Sequence, residues 1–215
     1  MIINLDYMKK PERKEPPADL VQEAKTFYLS RLVYHGYLNR DQKSFDQLAN
    51  YFAQTFAGIK HEIKGGEIYS GPKHGLLVFG PCGAGKTLAM SIFSGLFKIN
   101  FVYSDELIEI FATKGESHFW EYINRFKSED LIIDDIGSER EVKSYGNASP
   151  IVDFIYRRER LFQSSGVLTH FTTNCKGREE LLKQYGERAV SRILGMCKPI
   201  SIRASDGRLT NLNNE

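Results

Sequence analysis

A chain of 215 residues fits one domain, or one domain with a small appendage, and a core of that size buries roughly 70% of its unfolded surface, so folding needs neither disulfides nor a metal. A hydrophobic share of 41% and a charged share of 26% exclude whole-chain disorder. No apolar run reaches the ~18 to 20 residues that cross a bilayer, and residues 1–8, followed by Lys-Lys-Pro-Glu-Arg-Lys, lack a signal-peptide core, so a cytoplasmic protein without a membrane partner is expected. Cys82, Cys175 and Cys197 are an odd number at wide spacing, which suits neither a disulfide framework nor a zinc site. Net charge is only +2, but it is unevenly spread: residues 104–141 hold 11 acidic and 4 basic side chains, and residues 176–208 hold 4 acidic and 8 basic ones. That asymmetry suits head-to-tail self-association or a nucleic-acid face, and equally two solvated helix surfaces of opposite bias.

Residues 1–17 are expected to be a flexible tail and linker, since residues 9–17 are charged and carry three of the seven prolines. Leu20, Ala24, Phe27, Tyr28 and Leu32 recur at helical spacing, as do Phe45, Leu48, Phe52, Phe56 and Ile59, which predicts a two-helix leader over 18–60. Residues 60–74, with Gly65-Gly66 and Gly71-Pro72, read as a loop. Short β-rich runs follow at 76–79, 99–103, 131–133, 167–172 and 200–203, with helical patterns filling every gap. Ser104 is a plausible N-cap, and Ser149-Pro150 supplies a cap with proline at the first helical position. Strands alternating with helices predict an α/β fold with a parallel sheet covered on both faces, over 61–203, and a flexible tail over 204–215.

The phosphate signal is Gly80-Pro-Cys-Gly-Ala-Gly-Lys-Thr87, which matches G-x-x-x-x-G-K-[ST] between a predicted strand and a predicted helix. Gly80, Pro81, Cys82, Gly83, Ala84, Gly85, Lys86, Thr87 and Leu88 would form the nucleotide-binding loop. Its backbone N–H groups converge on the phosphates, Lys86 adds a point charge, and the Thr87 hydroxyl is a ligand for Mg²⁺. Leu131-Ile-Ile-Asp-Asp135 is an apolar strand ending in carboxylates; Asp134 would join the Mg²⁺ shell and Asp135 would hold the attacking water. Thr172-Thr-Asn174 ends the next strand, where Asn174 is either a contact to the γ-phosphate and water or an ordinary turn residue.

Together with Gly186-Glu-Arg-Ala-Val-Ser-Arg192, these motifs resemble the AAA+ ATPases of the DnaC-like helicase-loader and IstB-like transposition-helper group, over residues 45–203. The resemblance implies a P-loop NTPase αβα sandwich with a five-stranded parallel sheet, ATP and Mg²⁺ as ligands, Asn174 as sensor 1, and Arg192 as an arginine finger given to a neighbouring subunit. It implies an ATPase that forms a head-to-tail homo-oligomer when ATP-bound, contacts single-stranded DNA and loads a replicative helicase; the alternative is a helper that selects target DNA and recruits a transposase. A small-molecule P-loop kinase or a nonhydrolysing nucleotide switch is a weaker fit. The chain runs only about a dozen residues past its last predicted strand, so no C-terminal lid is expected.

Arg188 and Arg192 are i, i+4 on one short helix and share a face, which allows a role in trans or a surface ion pair with Glu187 or Glu180. Arg157, Arg158 and Arg160, with Lys143, are candidates for DNA phosphates or for a neighbour's acidic segment, or else a solvated helix face. Lys114, Arg125 and Lys127 lie among Phe119, Trp120, Tyr122 and Phe126, a composition suited to single-stranded DNA. The acidic excess of that segment favours core packing of the aromatics instead. His35, His61, His74, His118 and His170 form no metal-ligand spacing.

Overall fold

In the computed structural model, which describes residues 14–34, 41–63, 70–139 and 149–203, eleven elements alternate as the sequence pattern requires. Helices α1 (Ala18–Tyr34) and α2 (Gln42–Ile63) precede β1 (Gly75–Phe79), α3 (Lys86–Phe97) and β2 (Asn100–Tyr103). They are followed by α4 (Ser104–Asn124), β3 (Leu131–Ile136), α5 (Pro150–Ser165), β4 (Thr169–Thr173), α6 (Arg178–Met196) and β5 (Cys197–Ser201). All five strands are parallel, in the order β2-β3-β4-β1-β5.

Strand alternation splits the core between the two faces. Leu77, Phe79, Ile133 and Phe171 pack with α4, α5 and α6 on one side, while Leu76, Val78, Ile132 and Ile200 pack with α1, α2 and α3 on the other. The result is an αβα sandwich. The two leader helices are part of the second layer: Tyr28 stacks on Phe52 at 4.4 Å and donates to the Ala89 carbonyl at 3.0 Å. Ser44 Oγ donates to the Ser201 carbonyl at 2.7 Å, and Tyr51 donates to the His74 carbonyl at 2.7 Å, so α2 is fastened at both ends of the sheet. Between them, β1 and β4 leave no room beside Gly75, where a Cβ would lie 1.8 Å from the Thr169 carbonyl oxygen.

Several boundaries differ from the sequence reading. β5 begins at Cys197, three residues earlier than expected, because it is an edge strand in which Pro199 costs no ladder bond that the sheet requires. β3 continues to Ile136 through a bulge. α4 and α6 are each broken at a glycine of positive φ, Gly115 at 81° and Gly186 at 76°, so the second half of each runs in a new direction. Ser104 is the first residue of α4, not its cap; its hydroxyl donates to the Asp135 carbonyl at 2.9 Å. Ser149 does precede α5 with proline next, but its side chain makes no cap bond. Among the described residues no helix is long and apolar enough to cross a membrane. Lys143, His35 and the predicted tails over 1–13 and 204–215 lie outside the described residues.

Candidate nucleotide site

Parallel strands direct their carboxyl ends to one edge of the sheet, and there β1, β3 and β4 deliver the motif residues. The loop after β1 turns through Gly83 at φ 72° and Gly85 at φ 91°, conformations in which a Cβ is strained. Gly85 is the N-cap of α3 and has no side chain to cap it, so the first-turn N–H groups are presented to the loop. Pro81 and Cys82 are exposed at the tip, Ala84 is buried and Leu88 half-buried. Gly80 packs against β5, where a Cβ would approach the Ile202 carbonyl oxygen to 2.7 Å.

Lys86 is 5% exposed, and its Nζ donates to the carbonyls of Gly80 at 2.8 Å and Pro81 at 2.9 Å and to Asn174 Oδ1 at 2.7 Å. The Asn174 amide in turn donates to Asp135 Oδ1. Thr87 Oγ1 donates to Asp134 Oδ2 at 2.8 Å, and Thr172 Oγ1 donates to Asp134 Oδ1 at 2.6 Å. Lys86, Thr87, Asp134, Asp135, Thr172 and Asn174 therefore lie within two short hydrogen-bonded chains that cross from the start of α3 to the ends of β3 and β4.

Burial pushes the Asp134 carboxyl above its ordinary range; the Thr172 and Thr87 hydroxyls pull it back, Asp135 raises it and Lys86 lowers it. A carboxylate with this balance gains from a dication. Thr87 and Asp134 supply adjacent hard oxygen donors of the kind Mg²⁺ takes, so the residues fit that ion. The loop and Lys86 likewise fit a polyphosphate.

Asp135 has φ 62°, a left-handed conformation uncommon outside glycine, asparagine and aspartate. Gly137 follows at φ 90°, and a Cβ there would sit 2.9 Å from Cys175 Sγ. From this turn a second network reaches α6. The Gly137 N–H donates to Glu139 Oε2 at 2.9 Å, Tyr185 donates to the same carboxylate at 2.6 Å, and Gln184 donates to the Gly137 carbonyl at 2.9 Å. Nothing in the spacing of Glu139 and Tyr185 marks this pair; only the fold brings them together. A cavity of about 570 Å³ opens beside the loop, lined by Cys82, Asn174, Lys176 and Arg203 among others.

Arg192 stands apart from this cluster in its contacts. Its guanidinium lies 4.5 Å from the centroid of Tyr156 and its Nε lies 3.8 Å from Glu159, both on α5, rather than meeting Glu187 or Glu180. Arg188, one turn earlier, is exposed.

The arginines of α5 do not act as one patch. Arg158 is 1% exposed: Nε donates to Thr169 Oγ1 at 2.7 Å, Nη1 to the Phe126 carbonyl at 2.8 Å, and Nη2 to the carbonyls of Glu129 at 3.0 Å and Leu168 at 2.8 Å. It is thus neither a DNA contact nor part of a solvated face. Arg157 stacks on Trp120 at 5.3 Å and donates to Asn124, while Arg160 is exposed. Phe119 is fully buried, and Trp120, Tyr122 and Phe126 pack against the same core, as the acidic surroundings suggested.

No protein-family model and no curated protein sequence matches the chain. Solved structures do. A crystal structure of DnaI is similar with 21% identity and a TM-score of 0.59, covering 82% of this chain and 93% of that one. A crystal structure of the DnaC helicase loader is similar with 20% identity and a TM-score of 0.44, covering 60% of this chain and 78% of that one. The parallel sheet of order β2-β3-β4-β1-β5, with the glycine-rich loop between β1 and α3 at its carboxyl edge, gives this chain an αβα P-loop fold, and that fold is shared with DnaI.

Proposed function

We propose that the chain binds and hydrolyses ATP and uses that cycle, as a head-to-tail homo-oligomer on single-stranded DNA, to load a replicative helicase. The observation that carries the ATPase reading is the convergence of Lys86 and Thr87 at the start of α3 with Asp134 and Asp135 of β3 and Asn174 after β4, in two hydrogen-bonded chains that the Thr172 hydroxyl joins into one cluster. In this reading the loop N–H groups and Lys86 hold the β- and γ-phosphates, and the Lys86 ammonium exchanges its carbonyl partners for phosphate oxygens. Thr87 and Asp134 hold Mg²⁺, which offsets phosphate charge when bound. Asp135 Oδ1 orients the attacking water and accepts its proton. Asn174, hydrogen-bonded to both Lys86 and Asp135, keeps the cation and the base in fixed relation. Arg192, released from Glu159 and Tyr156, would reach the site of the next subunit.

The loader assignment rests on the motif resemblance and on the fold shared with DnaI. A transposition helper is the second reading, favoured by α1 and α2 packing into the ATPase core rather than standing as a separate partner-binding domain. The test is ATP turnover and DNA binding measured together, with a replicative helicase or a transposase as the added partner. DNA binding should require ATP and weaken steeply with salt, as counterion release demands, and ATP should increase helicase on the DNA. Binding indifferent to ATP and to ionic strength contradicts the DNA-bound assembly, and transfer of a transposase in place of a helicase selects the second reading.

A further inference from the structure

The bulge in β3 is where the candidate base sits, and one buried hydroxyl lies at its centre. Between Ile133 and Ile136 the chain advances three residues while β4 advances two, from Phe171 to Thr173, so Asp134 and Asp135 share the space opposite Thr172. Thr172 is fully buried. Its one hydroxyl proton goes to Asp134 Oδ1 at 2.6 Å, which leaves the oxygen lone pairs to accept the Asp135 N–H at 2.8 Å. The Asp135 carbonyl is held from the other side by Ser104 Oγ at 2.9 Å and Ser138 Oγ at 2.6 Å. Both peptide groups of a left-handed residue are therefore fixed by hydroxyls, and its carboxylate is left aimed at the Asn174 amide.

We propose that Thr172 is a positioning residue for hydrolysis: its hydroxyl sets the left-handed turn that aims Asp135. This role rests on the ATPase reading of the site. A β-branched residue in a central strand has an ordinary explanation in strand propensity, but valine satisfies that equally and cannot make either bond. A left-handed aspartate is held less readily than one in the ordinary strand conformation, so its turn needs these hydrogen bonds. Without the Thr172 oxygen its N–H loses its partner at a half-buried turn, so the turn relaxes and the carboxylate swings away.

Single-turnover hydrolysis and nucleotide affinity of the full chain test this with Thr172→Val, Thr172→Ser and Thr172→Cys. Thr172→Val should lower the rate at least about tenfold, with ATP affinity changed less than about threefold, because the loop and Lys86 are untouched. Serine, which keeps the hydroxyl, should recover most of the rate; cysteine, a weak donor of similar volume, should fall between and serves if valine does not fold. The deciding comparison is a cycle with Asp135→Asn: Thr172→Val should add no further loss on that background if it acts through Asp135. A full additional loss there, or a wild-type rate in Thr172→Val where Lys86→Ala is inactive, overturns the proposal. Turnover that survives Lys86→Ala overturns the ATPase reading itself and this role with it.

Discussion

Replacing Arg158 by methionine keeps much of the side-chain volume and removes four donated hydrogen bonds at once. The loss is unequal among the acceptors. The Leu168 carbonyl still receives the Leu131 N–H at 3.1 Å and the Phe126 carbonyl still receives the Glu129 N–H at 3.3 Å, whereas the Glu129 carbonyl and the Thr169 oxygen lose the guanidinium. Thr169 is buried, so stranding its oxygen costs about 1–3 kcal/mol, whereas Glu129 is exposed and its carbonyl can turn to water; breaking a buried charged network costs typically about 3–5 kcal/mol in all. Burial already holds Arg158 down to about 10, opposed by Asp130, so removing the charge returns part of that cost and favours the lower end of the range. In a chain of this size each kcal/mol moves the melting temperature by about 2–4 °C, so Arg158→Met should melt roughly 6–20 °C below the parent. Thermal unfolding followed by circular dichroism measures it, with Arg157→Met as the control, which loses a stacking contact of about 0.5–1 kcal/mol on Trp120. A melting temperature unchanged in Arg158→Met, with single-stranded DNA affinity reduced, would show that Arg158 faces nucleic acid and refute its role as the tie between α5, β4 and the turn before β3.

His170 is buried against Tyr51 and Phe93, accepts the Leu76 N–H at Nδ1, and is held down to about 3 by burial and by Arg158. Between about pH 6.5 and 3 the unfolded chain therefore binds a proton that the folded chain does not, and stability falls as pH falls through that window, by up to about 1.4 kcal/mol per pH unit. His170→Phe should lose stability at neutral pH and show a shallower decline on acidification; an equal slope for both proteins contradicts this. Arg192→Ala should bind ATP as the parent does and hydrolyse it about 10³- to 10⁵-fold more slowly if the guanidinium completes a neighbouring site. Mixed with Lys86→Ala protein it should regain activity, and no recovery in a mixture shown to co-assemble means that Arg192 only braces α5.

The phosphate loop, the acidic strand end and the alternating elements are legible because each depends on local rules: glycine where φ must be positive, and short continuous apolar runs where a strand is covered on both faces. Asp135 is legible as a carboxylate but not as a left-handed residue, since its conformation is imposed by hydroxyls from β4, α4 and its own turn. Arg158 reads as surface because arginine usually is. Its burial depends on acceptors gathered from the turn after α4 and from the start of β4 beside α5, a coincidence of three distant segments. The leader helices read as a separate unit because their apolar faces are ordinary, yet Tyr28 and Ser44 find acceptors on α3 and β5 only after the sheet has formed.

The central claim is that one cluster separates binding from turnover: Lys86 holds the phosphates and Asp135 serves the water. Calorimetric ATP affinity and steady-state hydrolysis, measured side by side for the parent, Lys86→Ala and Asp135→Asn, address it directly. Lys86→Ala should lose nucleotide affinity or turnover outright, and Asp135→Asn should bind ATP within a few-fold of the parent while hydrolysing it at least about a hundredfold more slowly. Equal loss of binding and hydrolysis in Asp135→Asn, or hydrolysis unchanged in Lys86→Ala, would contradict it.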